Sequence, residues 1–577
     1  MKATVKEMDN YIAKNAGLAL PGRSTGAKLP ENQNTIQTEL CRKTVSDEVT
    51  EEYSLPDYQP EIRRLLRVTA NPMPPTQFLS SDNAEFSGTV DFGVLYSDNE
   101  GKLCMATLTG EYSMTAPLRD TADSYGTDLS DILCFADVVT DSVSARVLAP
   151  RKLGIRCRLR AKVSAYGTER NECTFGGSAP ESSVERLDGK LGVCRVFRGE
   201  SDRIMLGDEI TSDSNPGATL SGGGELRIIM PEACVFVSEA TPADGYVNCR
   251  GDVIVKVLMC RENPDSEPYT VTRKLPFTAQ VEVDGATADS ECRAFGKVTE
   301  LLVSNEDGRI LCEVGVVITA ESQKNVPMSY IKDIYSTDYT CETEMTDRSY
   351  PVAVCCMMGN VTSSGSVALT DIGVEPGSVV LDCAGVPSAC RVTFDGGKFV
   401  LDGECKYTAL LSAGAEMFQK EFSLPFRYEF RHDGGASDRI ASDDGASGGG
   451  IADNVADASV NSPATDSYDA DSSAEIVSIR CRMDAEKLSV DSELALSARI
   501  SVRQSIHSVS AVMFGVPVSR TDGEIVICYP DKSDSLWNVC KRYGVGIGSV
   551  ARRNGIKSLD NIDAPASVSA VKYLLLS

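Results

Sequence analysis

The chain has 577 residues, 42% of them hydrophobic, with a formal net charge of -26. That length accommodates about three to five domains, and the apolar share is ample for folded cores. The acidity argues against nucleic acid and anionic membrane as main partners, because both reward a basic surface. Solubility alone accounts for it otherwise.

At the N-terminus, MKATVKEMDNYIAKNAGLALPGR mixes charges with its apolar residues and lacks the apolar core of a secretory signal. No run of about 18 apolar residues offers a membrane span. The chain is expected to be cytoplasmic, with no membrane insertion and with residues 1–31 as a partly helical leading segment.

From residue 32 onward a pattern recurs three times. Its first part occupies Leu65 to Tyr96, Glu225 to Met259 and Val379 to Leu411. Each copy runs from a short strand through a proline-containing turn into an alternating strand that starts at Gly88, Gly251 or Gly403. Alternation puts Val90, Phe92 and Val94 on one face, as it does Val253, Val255 and Val257, and Cys405, Tyr407 and Ala409. Period two with one apolar face predicts a half-buried antiparallel strand. A second alternating run and a further hairpin follow in each copy. A basic-apolar dipeptide (Lys152-Leu153, Arg309-Ile310, Lys487-Leu488) marks where the last strand of each hairpin begins. The predicted fold is mainly β: three tandem antiparallel sandwich- or barrel-like units over 32–170, 171–330 and 331–515.

The third copy is interrupted at 432–475 by Gly, Ser, Ala and Asp with almost no large apolar residue. Such composition cannot bury enough surface to offset its ordering entropy, so a disordered acidic insertion is expected. A long loop adds only a logarithmic closure cost.

Residues 522–577 read as strand, helix, helix, strand. Asp534 and Ser535 give an N-cap signal, and Leu536, Val539, Cys540 and Tyr543 fall on one helical stripe. Gly544 is placed to stop that helix. A second helix carries Ile547, Val550 and Ala551 and ends at Asn554-Gly555, and KYLLLS is a strand able to pair with IVICY. Trp537, the only tryptophan, sits about 100° off the stripe and is expected at the rim, partly exposed. Lys541, Arg542, Arg552, Arg553 and Lys557 form a local basic cluster, either a solvated face or a surface for an acidic protein.

Catalysis finds little foothold. There are two histidines, His432 and His507, neither within a relay motif, and no P-loop lysine or HExxH. The twenty cysteines are scattered, with Cys355-Cys356 the only close pair. That spacing suits neither zinc nor a disulfide scaffold, and predicts reduced thiols packed as small hydrophobes. No catalytic residue, metal or cofactor is expected.

The stretches DSLWNVCKRYGV and SVARRNGI resemble the LysM domain. Ser533 stands where that family prefers glycine, and PASVSAVKYLLLS lacks the family's glycine and proline around the last strand. Both places border the groove in which LysM domains hold N-acetylated sugars. FSGTVDFGVLY (Phe86 to Tyr96) and DIYSTDYTCE (Asp333 to Glu342) resemble the strand and linker patterns of the SPOCS domain. Three β-units followed by LysM resemble the SipL family of sporulation proteins. The resemblance implies a non-enzymatic scaffold in the mother cell, at the forespore surface, that binds the morphogenetic ATPase of the spore-coat basement layer. The alternative it leaves is binding of peptidoglycan or cortex glycan through LysM. In either case the binding residues it implies are Asp534, Ser535, Trp537, Lys541, Arg552, Arg553 and Asn554.

Overall fold

The structure is a computed structural model. It describes residues 35–576 except 81, 119–127, 171–172, 178–182, 211–225, 262–267, 307–308, 396–397, 415, 432–467, 519–525, 557–558, 560 and 569–570. Among the described residues it is mainly β, with antiparallel sheets, one short parallel pairing and two short α-helices.

The first stretch contributes β1 (Thr35–Ser54), β2 (Arg64–Pro72), β3 (Thr76–Leu79), β4 (Asn83–Ser97), β5 (Leu103–Pro117), β6 (Asp128–Ala149) and β7 (Lys152–Arg170). They make two sheets, β1-β7-β6 and one centred on β4, where β2 and β3 share one edge and β5 takes the whole of the other. After β8 (Thr174–Gly176), the second stretch runs β9 (Val184–Glu200), β10 (Ile204–Ile210), β11 (Leu226–Ala243), β12 (Tyr246–Arg261), β13 (Tyr269–Glu282), β14 (Glu291–Glu306) and β15 (Arg309–Ser336). Here β9 and β10 share one side of β15, β14 takes the other, and β11-β12-β13 form a meander. The third comprises β16 (Tyr339–Ala368), β17 (Val379–Asp395), β18 (Lys398–Ala413), β19 (Glu416–Arg431), β20 (Tyr468–Met483) and β21 (Lys487–Pro517), in sheets β16-β21-β20 and β17-β18-β19.

In all three stretches the first strand therefore pairs with the last, and a meander from the middle forms the opposing sheet. Each pair of sheets encloses its own apolar core. The alternation in the sequence is what fills it. Val90, Phe92 and Val94, Val253, Val255 and Val257, and Cys405, Tyr407 and Ala409 are all buried. Lys152, Arg309 and Lys487 open β7, β15 and β21, as the basic-apolar dipeptides predict. At the start of each alternating run the glycine faces an aromatic ring on the next strand: Gly88 against Tyr112, Gly251 against Phe277, Gly403 against Phe426. At Gly403 a Cβ would stand 2.4 Å from the Phe426 ring, so the ring occupies the space that a side chain would need.

Three bulges bring the stretches together. Leu66, Ile229 and Leu381 are the residues displaced by register shifts in β2, β11 and β17, and all three are buried in one shared cluster with Leu95, Leu258 and Leu410. A bulge leaves one residue outside the ladder and turns it to a new direction, here towards the neighbouring stretches. Beside this cluster Arg67 donates to Asp382 at 2.6 Å and to Glu232 at 2.7 Å, and Lys256 reaches Asp382 at 2.5 Å. A second buried junction joins Arg293 to Glu321 (2.8 Å) and Asp471 (2.5 Å), with Arg198 bridging Glu321 and Asp137.

Three expectations change here. Tyr468 to Glu475 belong to β20 instead of the insertion, and the rest of that insertion, 432–467, lies outside the described residues. Small polar residues become a strand because β21 supplies the ladder and Arg293, far away in sequence, supplies the charge for Asp471. β15 runs on to Ser336 and β21 to Pro517, past the boundaries expected at 330 and 515. Finally, Thr174–Gly176 pairs in parallel with Ala511–Met513, so a piece of the stretch assigned to 171–330 completes a sheet of the third.

Candidate functional site: the C-terminal module and its seat

Beyond β21 the chain forms β22 (Ile527–Cys528), α1 (Leu536–Tyr543), α2 (Ile547–Arg553) and β23 (Leu574–Leu575). Ser535 is the N-cap of α1 and accepts a hydrogen bond from the Asn538 N–H at 3.2 Å. Gly544 ends the helix at φ 61°, in the left-handed region where a glycine carries no Cβ penalty. Ile527 pairs with Leu575 and Cys528 with Leu574, the pairing expected of IVICY and KYLLLS.

Leu536, Val539, Cys540, Ile547 and Val550 form the module's core with Cys528, Leu574 and Leu576. Tyr543, expected on the same stripe, is instead exposed, because α1 ends there and the chain turns away at Gly544. Trp537 also departs from expectation. It is 2% exposed rather than at the rim.

The module sits on the end of β9 and β15, and this seat is what covers the tryptophan. A register shift between Ile331 and Asp333 marks a bulge at Lys332. Asp333 then accepts from Trp537 Nε1 at 2.8 Å and from Lys541 Nζ at 2.6 Å. The Tyr335 ring stands edge-on to Trp537 with centroids 5.1 Å apart, and its hydroxyl donates to the Val545 carbonyl at 2.8 Å. Glu185 accepts from the Ile547 N–H at 3.1 Å; burial pushes its carboxyl above the usual range. Lys332 pairs with Asp563 at 3.0 Å, and Leu187 packs against the module's core.

The residues singled out from sequence therefore separate into groups. Trp537 and Lys541 are held against the seat. Asp534 is buried and paired with Arg542 at 2.7 Å, a hydrogen bond that keeps its carboxyl below the usual range. Ser535 caps α1. Asn554 clips the last strand, donating to Leu575 O at 2.9 Å and accepting from Leu575 N at 2.8 Å. Arg552 and Arg553 are exposed, and donate to the carbonyls of Gly548 and Leu576. The basic cluster is thus divided: Lys541 and Arg542 are neutralised by Asp333 and Asp534, and Arg552 and Arg553 face outward. Lys557 lies outside the described residues.

Asp333, Tyr335, Glu185 and Leu187 escaped the sequence reading as functional residues. DIYSTDYTCE contains two of them, and the only signal was its likeness to a linker pattern.

Elsewhere, a cavity of about 2180 Å³ lies where the three stretches meet, lined by Arg67, Glu232, Lys256 and Asp382 among others. There Arg67 pairs with Glu232 and Asp382, and Lys256 with the same two carboxylates. His507 is exposed and lies 2.6 Å from Asp347. Among the described residues no helix is long and apolar enough to cross a membrane.

Residues 226–304 match the family model described as SipL, SPOCS domain. The match covers β11, β12, β13 and most of β14. No curated protein matches the chain, and no solved structure does. The SPOCS match supports a role connected with sporulation.

Proposed function

We propose that this protein is a non-enzymatic scaffold of spore-coat morphogenesis, built from three tandem SPOCS units and a C-terminal LysM module. In this reading it binds the morphogenetic ATPase of the coat basement layer through that module. The observation that carries it is the SPOCS match over 226–304, which falls on the meander and the first strand of the following hairpin. The same strand order before and after that region supports reading the other two stretches as further copies. The strand-helix-helix-strand order, the Ser535 cap and the Gly544 stop support LysM.

A protein partner is favoured over a glycan because Trp537 and Lys541 are engaged by Asp333, which leaves Arg552 and Arg553 as the outward charges of the binding set. Charged rims steer and select protein partners, whereas a neutral sugar gains little from them. The test is parallel capture of the purified chain by the coat ATPase and by purified peptidoglycan. Retention on the ATPase, reduced by Arg552→Glu with Arg553→Glu at unchanged Trp537 emission, is the expected result. Retention on peptidoglycan alone refutes the reading in favour of glycan binding.

A further inference from the structure

The module's two-stranded sheet has one face in the core and one in solvent. Cys528, Leu574 and Leu576 point inward and are buried. Register places Ile527 opposite Leu575 and, one residue further, Tyr529 opposite Tyr573 on the outer face. Ile527 is 49% exposed, Tyr529 70% and Tyr573 48%. The two tyrosine rings lie with centroids 6.4 Å apart. The hydrogen bonds and ion pairs that seat the module on β9 and β15 use α1, the α1-α2 turn, Ile547 at the start of α2 and Asp563, not these residues.

Isolated apolar residues on a surface need no explanation, but a contiguous set does. Here four neighbours on one sheet face, two of them tyrosines, form a small apolar centre. Tyrosine is enriched at protein interfaces because it offers a large, stiff contact area with a polar tip. Around this centre the charge is basic. Lys532 and Lys572 flank the tyrosines in sequence and are exposed, and Arg553 reaches the carbonyl of Leu576 at the strand's end. Among the described residues Asp531 is the exposed acid beside them. Residues 522–577 hold seven Lys or Arg against six Asp or Glu, in a chain whose net charge is -26. A local reversal of sign around an apolar centre has the form of a docking surface for an acidic partner.

We propose that the outer face of this sheet, centred on Tyr529 and Tyr573 with Lys532 and Lys572 at its rim, is the surface by which the module engages an acidic protein. This rests on the protein-binding reading above and centres that binding on the sheet face, with Arg553 at its edge, because Trp537 and Lys541 of α1 are already held by the seat. A second copy of this chain is the less suitable occupant, because like net charges of -26 repel as two copies approach.

The test uses the full chain and the purified coat ATPase as probe. Tyr529→Ala with Tyr573→Ala weakens binding at least about thirtyfold, the scale of losing an interface hot spot. Tyr529→Phe with Tyr573→Phe keeps the rings and retains most of the binding. Lys532→Glu with Lys572→Glu slows association and flattens its salt dependence. Trp537 emission stays native in all three, which separates lost contact from lost fold. Wild-type binding matched within about twofold by the alanine pair overturns the surface and leaves the protein-binding reading standing. If the wild type does not bind the ATPase, that reading falls and the surface falls with it. Self-association of the wild type that the alanine pair abolishes assigns the face to a second copy, and also overturns the proposal.

Discussion

Asp333→Ala is the most direct perturbation of the seat. In the wild type this carboxylate accepts one hydrogen bond from the buried Trp537 indole and one ion pair from Lys541. A hydrogen bond to a charged acceptor contributes about 1.5–3 kcal/mol, and the stranded buried N–H makes the loss hard to recover. The Lys541 pair is partly exposed, so it adds only about 0–1 kcal/mol. Docking should weaken by about 1.5–4 kcal/mol, which raises the undocked population by a factor of roughly ten to a thousand. Because Trp537 is the only tryptophan, its emission and its quenching by acrylamide report on this one contact. Red-shifted, more quenchable emission is expected for Asp333→Ala, with a smaller change for Asp333→Asn, which keeps an acceptor oxygen. Wild-type emission and quenching in Asp333→Ala would refute the claim that this carboxylate holds the module.

Asp382→Ala leaves Arg67 and Lys256 without their shared buried acceptor and should destabilise the junction by about 3–5 kcal/mol, measured by denaturant unfolding. At the same residue burial pushes the carboxyl up, but Lys256 and Arg67 outweigh it and hold the pKa below the usual value. A depressed folded pKa means that the stabilisation is complete above the unfolded pKa of about 4 and is lost as pH falls through the folded value. Acid titration of the wild type should therefore show a loss of stability below about pH 4 that Asp382→Ala largely lacks. Gly251→Ala brings a Cβ onto the Phe236 carbonyl and the Phe277 ring and should cost about 1–3 kcal/mol by thermal melting. All twenty cysteines are free and none is exposed, and burial pushes thiols such as Cys249 and Cys540 up to about 12. Most should react with a maleimide only after denaturation; fast labelling of the native chain would count against this packing.

The strands were legible because each carries its own evidence. Val90, Phe92 and Val94 alternate with polar neighbours, and a half-buried sheet needs nothing more than that period. The helix caps were legible for the same reason, since Ser535 and Gly544 act within one turn of their own positions. What failed was non-local. Asp471 reads as part of a Gly/Ser/Asp tract until Arg293 is placed beside it. The pairing of Thr174–Gly176 with β21 spans more than 330 residues, and no local pattern marks a three-residue strand. The seat failed in the same way. Asp333 and Tyr335 sit in a segment whose periodicity describes β15, and nothing in it states that a module two hundred residues later will rest there.

Trp537 shows how the two kinds of information combine. The expectation that put it at a partly exposed rim is overturned, since Trp537 shares one buried cluster with Leu536, Val539, Cys540 and Tyr335. A module of about fifty residues buries too small a share of its surface to be robust by itself. Around Trp537, Tyr335 and Leu187 extend the module's apolar core and Asp333 satisfies the indole N–H. Burial of this tryptophan is thus a property of the module together with β9 and β15. Trp537 and Lys541 of α1 are committed to holding the module in place, while the outer sheet face, with Tyr529 and Tyr573, stays exposed.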